Sequence, residues 1–215
     1  MIGDHIHQTL KQVRELQANI LEKQRFKGYS GRARAVAGTG ALVGTGIMSM
    51  SFYPGSINAH LVGWATILSF ALCLNYGALV QWFLFDPKVK RDIRRLKPVI
   101  DGMPPLLVAG LFTVALIECG QFSYLFGIWL AMFGLANLAS RHVLPKGIVW
   151  LGIFYIVCGA ALLLAPDPSF LSPLPVGVVL FVGEWIGGVI IHYDGKVDSV
   201  MRQAVITEMV DGPIE

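Results

Sequence analysis

Hydrophobic positions gather into six long runs, at about residues 35 to 53, 61 to 85, 104 to 121, 124 to 140, 147 to 164 and 174 to 192, with short polar stretches between them. A helix needs roughly 20 residues to cross a hydrocarbon core of ~30 Å, with a working range of ~17 to 25, so each run predicts a membrane-spanning helix. The third, fourth and fifth sit at the short end and cross with little tilt. Runs three and four are separated only by Gly120, Gln121, Phe122 and Ser123, which predicts an antiparallel hairpin. The link APDPSFLSPLP between runs five and six is rich in proline, which removes backbone donors and favours a turn.

The pattern is different before the first run. Across residues 4 to 27, Ile6, Leu10, Val13, Leu16 and Ile20 recur at spacings of three and four while charged residues take the other faces, predicting an amphipathic helix. Gln17 and Gln24 interrupt its apolar seam, which argues against a long coiled coil. Such a helix packs on its own bundle or on the lipid surface, or else it docks a partner or a second copy. After the sixth run, Val197, Val200, Met201, Val205 and Met209 fit one face of a shorter helix that Gly212 and Pro213 would end. The predicted organisation is all-α: residues 1–34 as a cytoplasmic amphipathic helix with a basic juxtamembrane segment, 35–192 as a six-helix transmembrane domain, and 193–215 as a cytoplasmic tail.

Charge decides the orientation. Of the 17 Lys and Arg, seven precede the first run, six lie between the second and third, Arg141 and Lys146 flank the link between the fourth and fifth, and Lys196 and Arg202 follow the sixth. All fall on one side of a six-span thread, and the alternate connections YPGSIN, GQFS and APDPSFLSPLP hold none. Short-loop positive charge stays cytoplasmic, so both termini are expected in the cytoplasm. Tyr53, Trp64 and Tyr124 then fall near the outer boundary and Trp82, Trp150 and Tyr193 near the inner one. The basic residues Arg25, Lys27, Arg32 and Arg34, with Lys88, Lys90, Arg91, Arg94, Arg95 and Lys97, are placed to meet anionic lipid headgroups. Nucleic acid is a poor partner for them: the net charge is only +3 and no recognition motif accompanies the clusters. Asp4, Glu15 and Glu22 make the start of the chain too acidic for a cleavable signal peptide, so the first span reads as an uncleaved anchor.

Composition excludes a water-soluble domain. Hydrophobic residues make up 54% of the chain and charged ones 14%, against about 25% charged in soluble proteins; the mean hydropathy is +0.61. Cys73, Cys119 and Cys158 all lie within predicted spans without metal-type spacing and read as small apolar packers. His5, His7, His60, His142 and His192 are dispersed, and no cofactor, metal set or nucleophile-and-base constellation is predicted.

Two features of the spans carry chemistry. Gly40 with Gly44, and Gly183 with Gly187, form GxxxG pairs that let another helix approach closely. Glu184 lies near the centre of the sixth span and Glu118 near the outer end of the third, and an ionisable group in hydrocarbon is by default a functional hypothesis. Asn75, Gln81, Tyr155, Thr39 and Thr45 are the mid-depth candidates to partner Glu184. With no Lys or Arg expected inside, Glu184 reads as a neutral, hydrogen-bonding group that ties helices together, or alternatively as a proton- or cation-handling one.

The stretches QRFKGYSGRARAVAG and GIWLAMFGLANLASRHVLPKGIVWLGIFYIVCGAALLL, about a quarter of the chain, resemble a set of small bacterial membrane proteins with an N-terminal cytoplasmic helix and about six spans. The GIW motif and the seven-residue glycine spacing, Gly127 to Gly134 and Gly152 to Gly159, are distantly similar to those of HdeD-type acid-resistance membrane proteins. The resemblance implies a bacterial cytoplasmic membrane and assigns no substrate. The expected function is that of a non-enzymatic accessory, regulatory or scaffold subunit acting through a protein partner or as a homo-oligomer. The alternative is a small proton, cation or solute transporter or channel using Glu184 and Asn75.

Overall fold

A computed structural model describes residues 28–85, 96–141, 144–165 and 169–211. Among them the chain is all-helical: α1 (Gly31–Met48), α2 (Ile57–Phe85), α3 (Lys97–Glu118), a 3-10 turn at Phe122–Tyr124, α4 (Leu125–Ala139), α5 (Gly147–Leu163) and α6 (Leu174–Asp211). The expected amphipathic helix over residues 4 to 27, with Arg25 and Lys27, and the basic residues Lys88, Lys90, Arg91, Arg94 and Arg95 lie outside the described residues.

Four stretches are long and apolar enough to cross a membrane: all of α2, Val99–Glu118, Phe122–Ala139 and Leu174–Asp194. α5 is apolar but shorter, at 17 residues. α1 has 18 residues, diluted by glycine, alanine, threonine and two arginines.

Each helix end has a local cause. α1 starts at Gly31, earlier than the apolar run suggests, because the Ser30 hydroxyl accepts the Ala33 N–H at 3.3 Å and caps the first turn. α3 also starts early, at Lys97. Pro104 and Pro105 lie within it beyond the first turn, so each leaves the carbonyl four residues back, that of Ile100 and of Asp101, without its ladder donor. It ends in a Schellman turn: Gly120 adopts φ +68°, its N–H donates to the Ile117 carbonyl at 3.1 Å, and Gln121 N–H reaches the Leu116 carbonyl at 2.8 Å. That left-handed residue makes the α3–α4 hairpin. α6 departs furthest from expectation. It runs unbroken from Leu174 to Asp211 and does not stop at the apolar boundary, since its one proline, Pro175, lies in the first turn and Gly195 alone does not break a helix.

The closest packing joins α1 to α6 and α4 to α5, with α3 against α4, α2 against α1, and a lighter contact between α5 and α6. Glycine sets both tight pairs. A Cβ at Gly134 would lie 2.5 Å from the Gly152 carbonyl oxygen, and one at Gly159 would lie 2.6 Å from that of Gly127, so the seven-residue glycine spacings of α4 and α5 face each other. Gly31 and Gly188 meet in the same way between α1 and α6, and Gly177 lies against Thr45. Gly40 and Gly44 face α2, against Phe70 and Ile67.

Candidate functional site

Helices α1, α4, α5 and α6 converge on one buried ion pair. Arg34, in the first turn of α1, turns its guanidinium into the bundle: Nε donates to Glu184 Oε2 at 2.9 Å and Nη2 to Oε1 at 2.7 Å. Two parallel charge-assisted bonds of this kind suit a planar fork against a carboxylate and are stronger than neutral ones. Tyr155 of α5 donates its hydroxyl to Glu184 Oε1 at 3.0 Å. Asn137 of α4 offers its Oδ1 to Nη1 and Nη2 at 3.4 Å each, while its Nδ2 is held by the Phe133 carbonyl at 2.8 Å. Arg34, Glu184 and Asn137 are each 7% exposed and Tyr155 is fully buried.

Glycines make the space. A Cβ at Gly187 would stand 3.0 Å from Arg34 Cζ, one at Gly38 would stand 2.7 Å from Glu184 Cβ, and one at Gly183 would collide with the Tyr155 phenol. Gly183 and Gly187 therefore seat the polar network as well as bringing backbones together. The Tyr155 ring is fixed in turn by Phe133, edge-on at 4.9 Å.

Two sequence expectations are corrected here. Arg34 was expected at the lipid headgroups, and no cation was expected within the spans. The arginine stem is long enough to bring its head into the bundle from the helix end, and Glu184 waits there as its counter-charge. The charged partner makes the isolated, neutral Glu184 reading unnecessary.

The remaining candidates are elsewhere. Asn75 is half-buried and donates to the Ala71 carbonyl of its own helix at 2.9 Å. Glu118 is exposed at the last residue of α3. Thr45 is buried but returns its hydroxyl to the Ala41 carbonyl at 2.8 Å. Thr39 accepts the Trp185 indole N–H at 3.0 Å on the outer side of the α1–α6 seam. Arg32 is exposed. Lys97 opens α3, and its side chain is outside those described.

Sequence reasoning missed Arg34 and Asn137 as partners of Glu184, and both left a trace. A cation in the first turn of a helix opposes the macrodipole, so Arg34 needs a compensating anion. Asn137 is a carboxamide in an otherwise apolar segment. Among the described residues no cluster of three His, Cys, Asp or Glu is placed to hold a metal ion. Comparison with protein-family models, with curated proteins and with solved structures finds no match.

Proposed function

We propose that this protein is a non-enzymatic, six-span protein of a bacterial cytoplasmic membrane, with both termini inside, acting by association as an accessory, regulatory or scaffold subunit. The carrying observation is the closed accounting of the buried ion pair: both carboxylate oxygens of Glu184 and the inner face of Arg34 are bonded to each other, to Tyr155 and to Asn137. A network so fully bonded holds four helices in one arrangement. The six-span thread is supported by α1 and α5, which at ~1.5 Å per residue reach about 25 to 27 Å, near a full crossing.

Association is supported by the helix surfaces. In the apolar stretches of α2 and α3 only 11% and 6% of residues are buried, against 39% and 33% in those of α4 and α6. Two helices thus leave few residues fully buried and much of their apolar surface open to whatever surrounds the chain. The test is gentle extraction of the full chain from its native membrane followed by mass measurement of the intact particle. A stoichiometric partner or a defined homo-oligomer is expected; a bare monomer that keeps its cellular role would sink the proposal.

A second reading follows from the pair itself, because ionisable groups inside apolar bundles commonly mark ion paths. On that reading Glu184 relays protons, and proteoliposomes holding the full chain acidify in response to a gradient. Glu184→Gln, which also leaves Arg34 without its counter-charge, would abolish that flux when compared per folded molecule. Equal flux in the variant, or none in the parent, removes it.

A further inference from the structure

The six helices do not pack equally on one another. α1, α2 and α6 form one body and α3, α4 and α5 another, because the two close seams, α1 on α6 and α4 on α5, each lie inside a body. Both seams are backbone on backbone. A Cβ on either of Gly31 and Gly188 would run into the other's carbonyl, as would one on either of Gly134 and Gly152 or of Gly127 and Gly159. No change of rotamer relieves such contacts, so helices joined by them move together.

Contacts between the bodies are of another kind. Gly147, Gly183 and Gly187 look across from α5 or α6, and what they meet on the other side is side chain: Ile190, the Tyr155 phenol and Leu151. Side chains can repack as helices slide or tilt past each other. In lipid only packing and hydrogen bonds hold helices together, so this seam is the weaker one.

The polar bonds divide along the same line. Both Arg34–Glu184 bonds lie within the first body, and Trp129 Nε1 donates to Thr113 Oγ1 at 2.8 Å within the second. Crossing between the bodies are the Tyr155 bond to Glu184 at 3.0 Å and the two long Arg34–Asn137 bonds at 3.4 Å. Parting the bodies therefore separates no opposite charges. Each side also keeps its own support, since Asn137 stays on the Phe133 carbonyl and the Tyr155 ring stays against Phe133.

One end of the boundary is pinned. Where α1 ends and α2 begins, Trp64 of α2 meets Phe126 and Trp129 of α4 at 5.3 and 5.6 Å, and Phe170, from the link into α6, stacks on Phe126 at 5.0 Å. Trp64, Phe126 and Phe170 are all buried there. Toward the other end, where α1 begins, α2 approaches α3 through the Tyr76 hydroxyl and the Met103 sulfur at 4.0 Å, and a thioether is a weak acceptor.

We propose that the two bodies tilt apart as units, hinged on the aromatic cluster and opening at the end where α1 begins, with Tyr155–Glu184 and Arg34–Asn137 as the latch. The open form admits water to an ion pair that is still joined.

The test places spin labels on the full chain in lipid nanodiscs, its three cysteines replaced, and measures label-to-label distances. Exposed positions on four helices serve: Val80 on α2, Ile100 on α3, Trp150 on α5 and Val189 on α6. Val80–Val189 and Ile100–Trp150 lie within bodies, whereas Val80–Trp150 and Ile100–Val189 cross between them. Tyr155→Phe removes a charge-assisted bond, so the closed-to-open ratio should fall about tenfold or more. Both crossing distances then gain a longer population while the within-body distances hold. Asn137→Leu, which keeps Tyr155, should shift the same two distances by less. Val62–Leu164, across the pinned end, should stay as it was. Within-body distances that lengthen in Tyr155→Phe as much as the crossing ones would overturn the proposal. So would crossing distances unmoved in both variants, or a longer population at Val62–Leu164.

Discussion

Arg34 and Glu184 depend on each other more than on anything else in the bundle. Removing one partner of a buried ion pair leaves an uncompensated charge, which costs about 3 to 5 kcal/mol, whereas replacing both by apolar groups is often close to neutral. Arg34→Met alone is therefore expected to destabilise the detergent-solubilised protein by that amount in a denaturation curve, and Arg34→Met with Glu184→Leu to recover most of the loss. Tyr155→Phe deletes one hydrogen bond to the same carboxylate and keeps the ring against Phe133, so a smaller loss of about 1.5 to 3 kcal/mol is expected. Tyr29, which precedes α1, has its phenol pushed up to about 12, chiefly by burial and then by Tyr76, with Arg34 opposing. The folded chain holds that proton where the unfolded chain has released it. The contribution is therefore complete below the ordinary value of 10 and is lost as pH rises from 10 to about 12. Tyr29→Phe should flatten the fall in stability across that window in unfolding measured at stepped pH.

At the scale of elements, the glycine seams make the sharpest predictions. Gly134→Leu drives a side chain into the Gly152 backbone, which cannot move aside as a flexible side chain would, so α4 and α5 must separate. Cysteine cross-linking between those helices should fall sharply, while Gly110→Leu, on a glycine of α3 with nothing within 4 Å, should leave it unchanged. Much of this was legible beforehand. Each of the six apolar runs overlaps a helix, though α1 stops at Met48 and α6 continues to Asp211, and the seven-residue glycine spacing of the fourth and fifth becomes a face-to-face seam, because apolar length and missing side chains are local properties of the chain. The ion pair was not legible, since Arg34 and Glu184 are 150 residues apart and only the α1–α6 contact brings them together. Arg34 also sat among basic residues whose position already had an explanation in topology, which hid its second role.

For the whole molecule, the proposed thread predicts which positions face which compartment. Single cysteines placed at Arg91 and at Ser56, in a chain freed of its own three cysteines, should react oppositely with an impermeant thiol reagent applied to intact cells: Ser56 labelled, Arg91 protected until the membrane is opened. The reverse result would invert the thread. The last helix carries a mechanical consequence. Because α6 is one rod from Leu174 to Asp211 and is clamped by Arg34 at Glu184, its far end is a lever on the clamp. At ~1.5 Å per residue the arm from Glu184 to Asp211 is about 40 Å long, so a tilt of about 5° at the clamp swings the tip by roughly 3.5 Å. Any force applied at that tip is correspondingly magnified where the two charges meet.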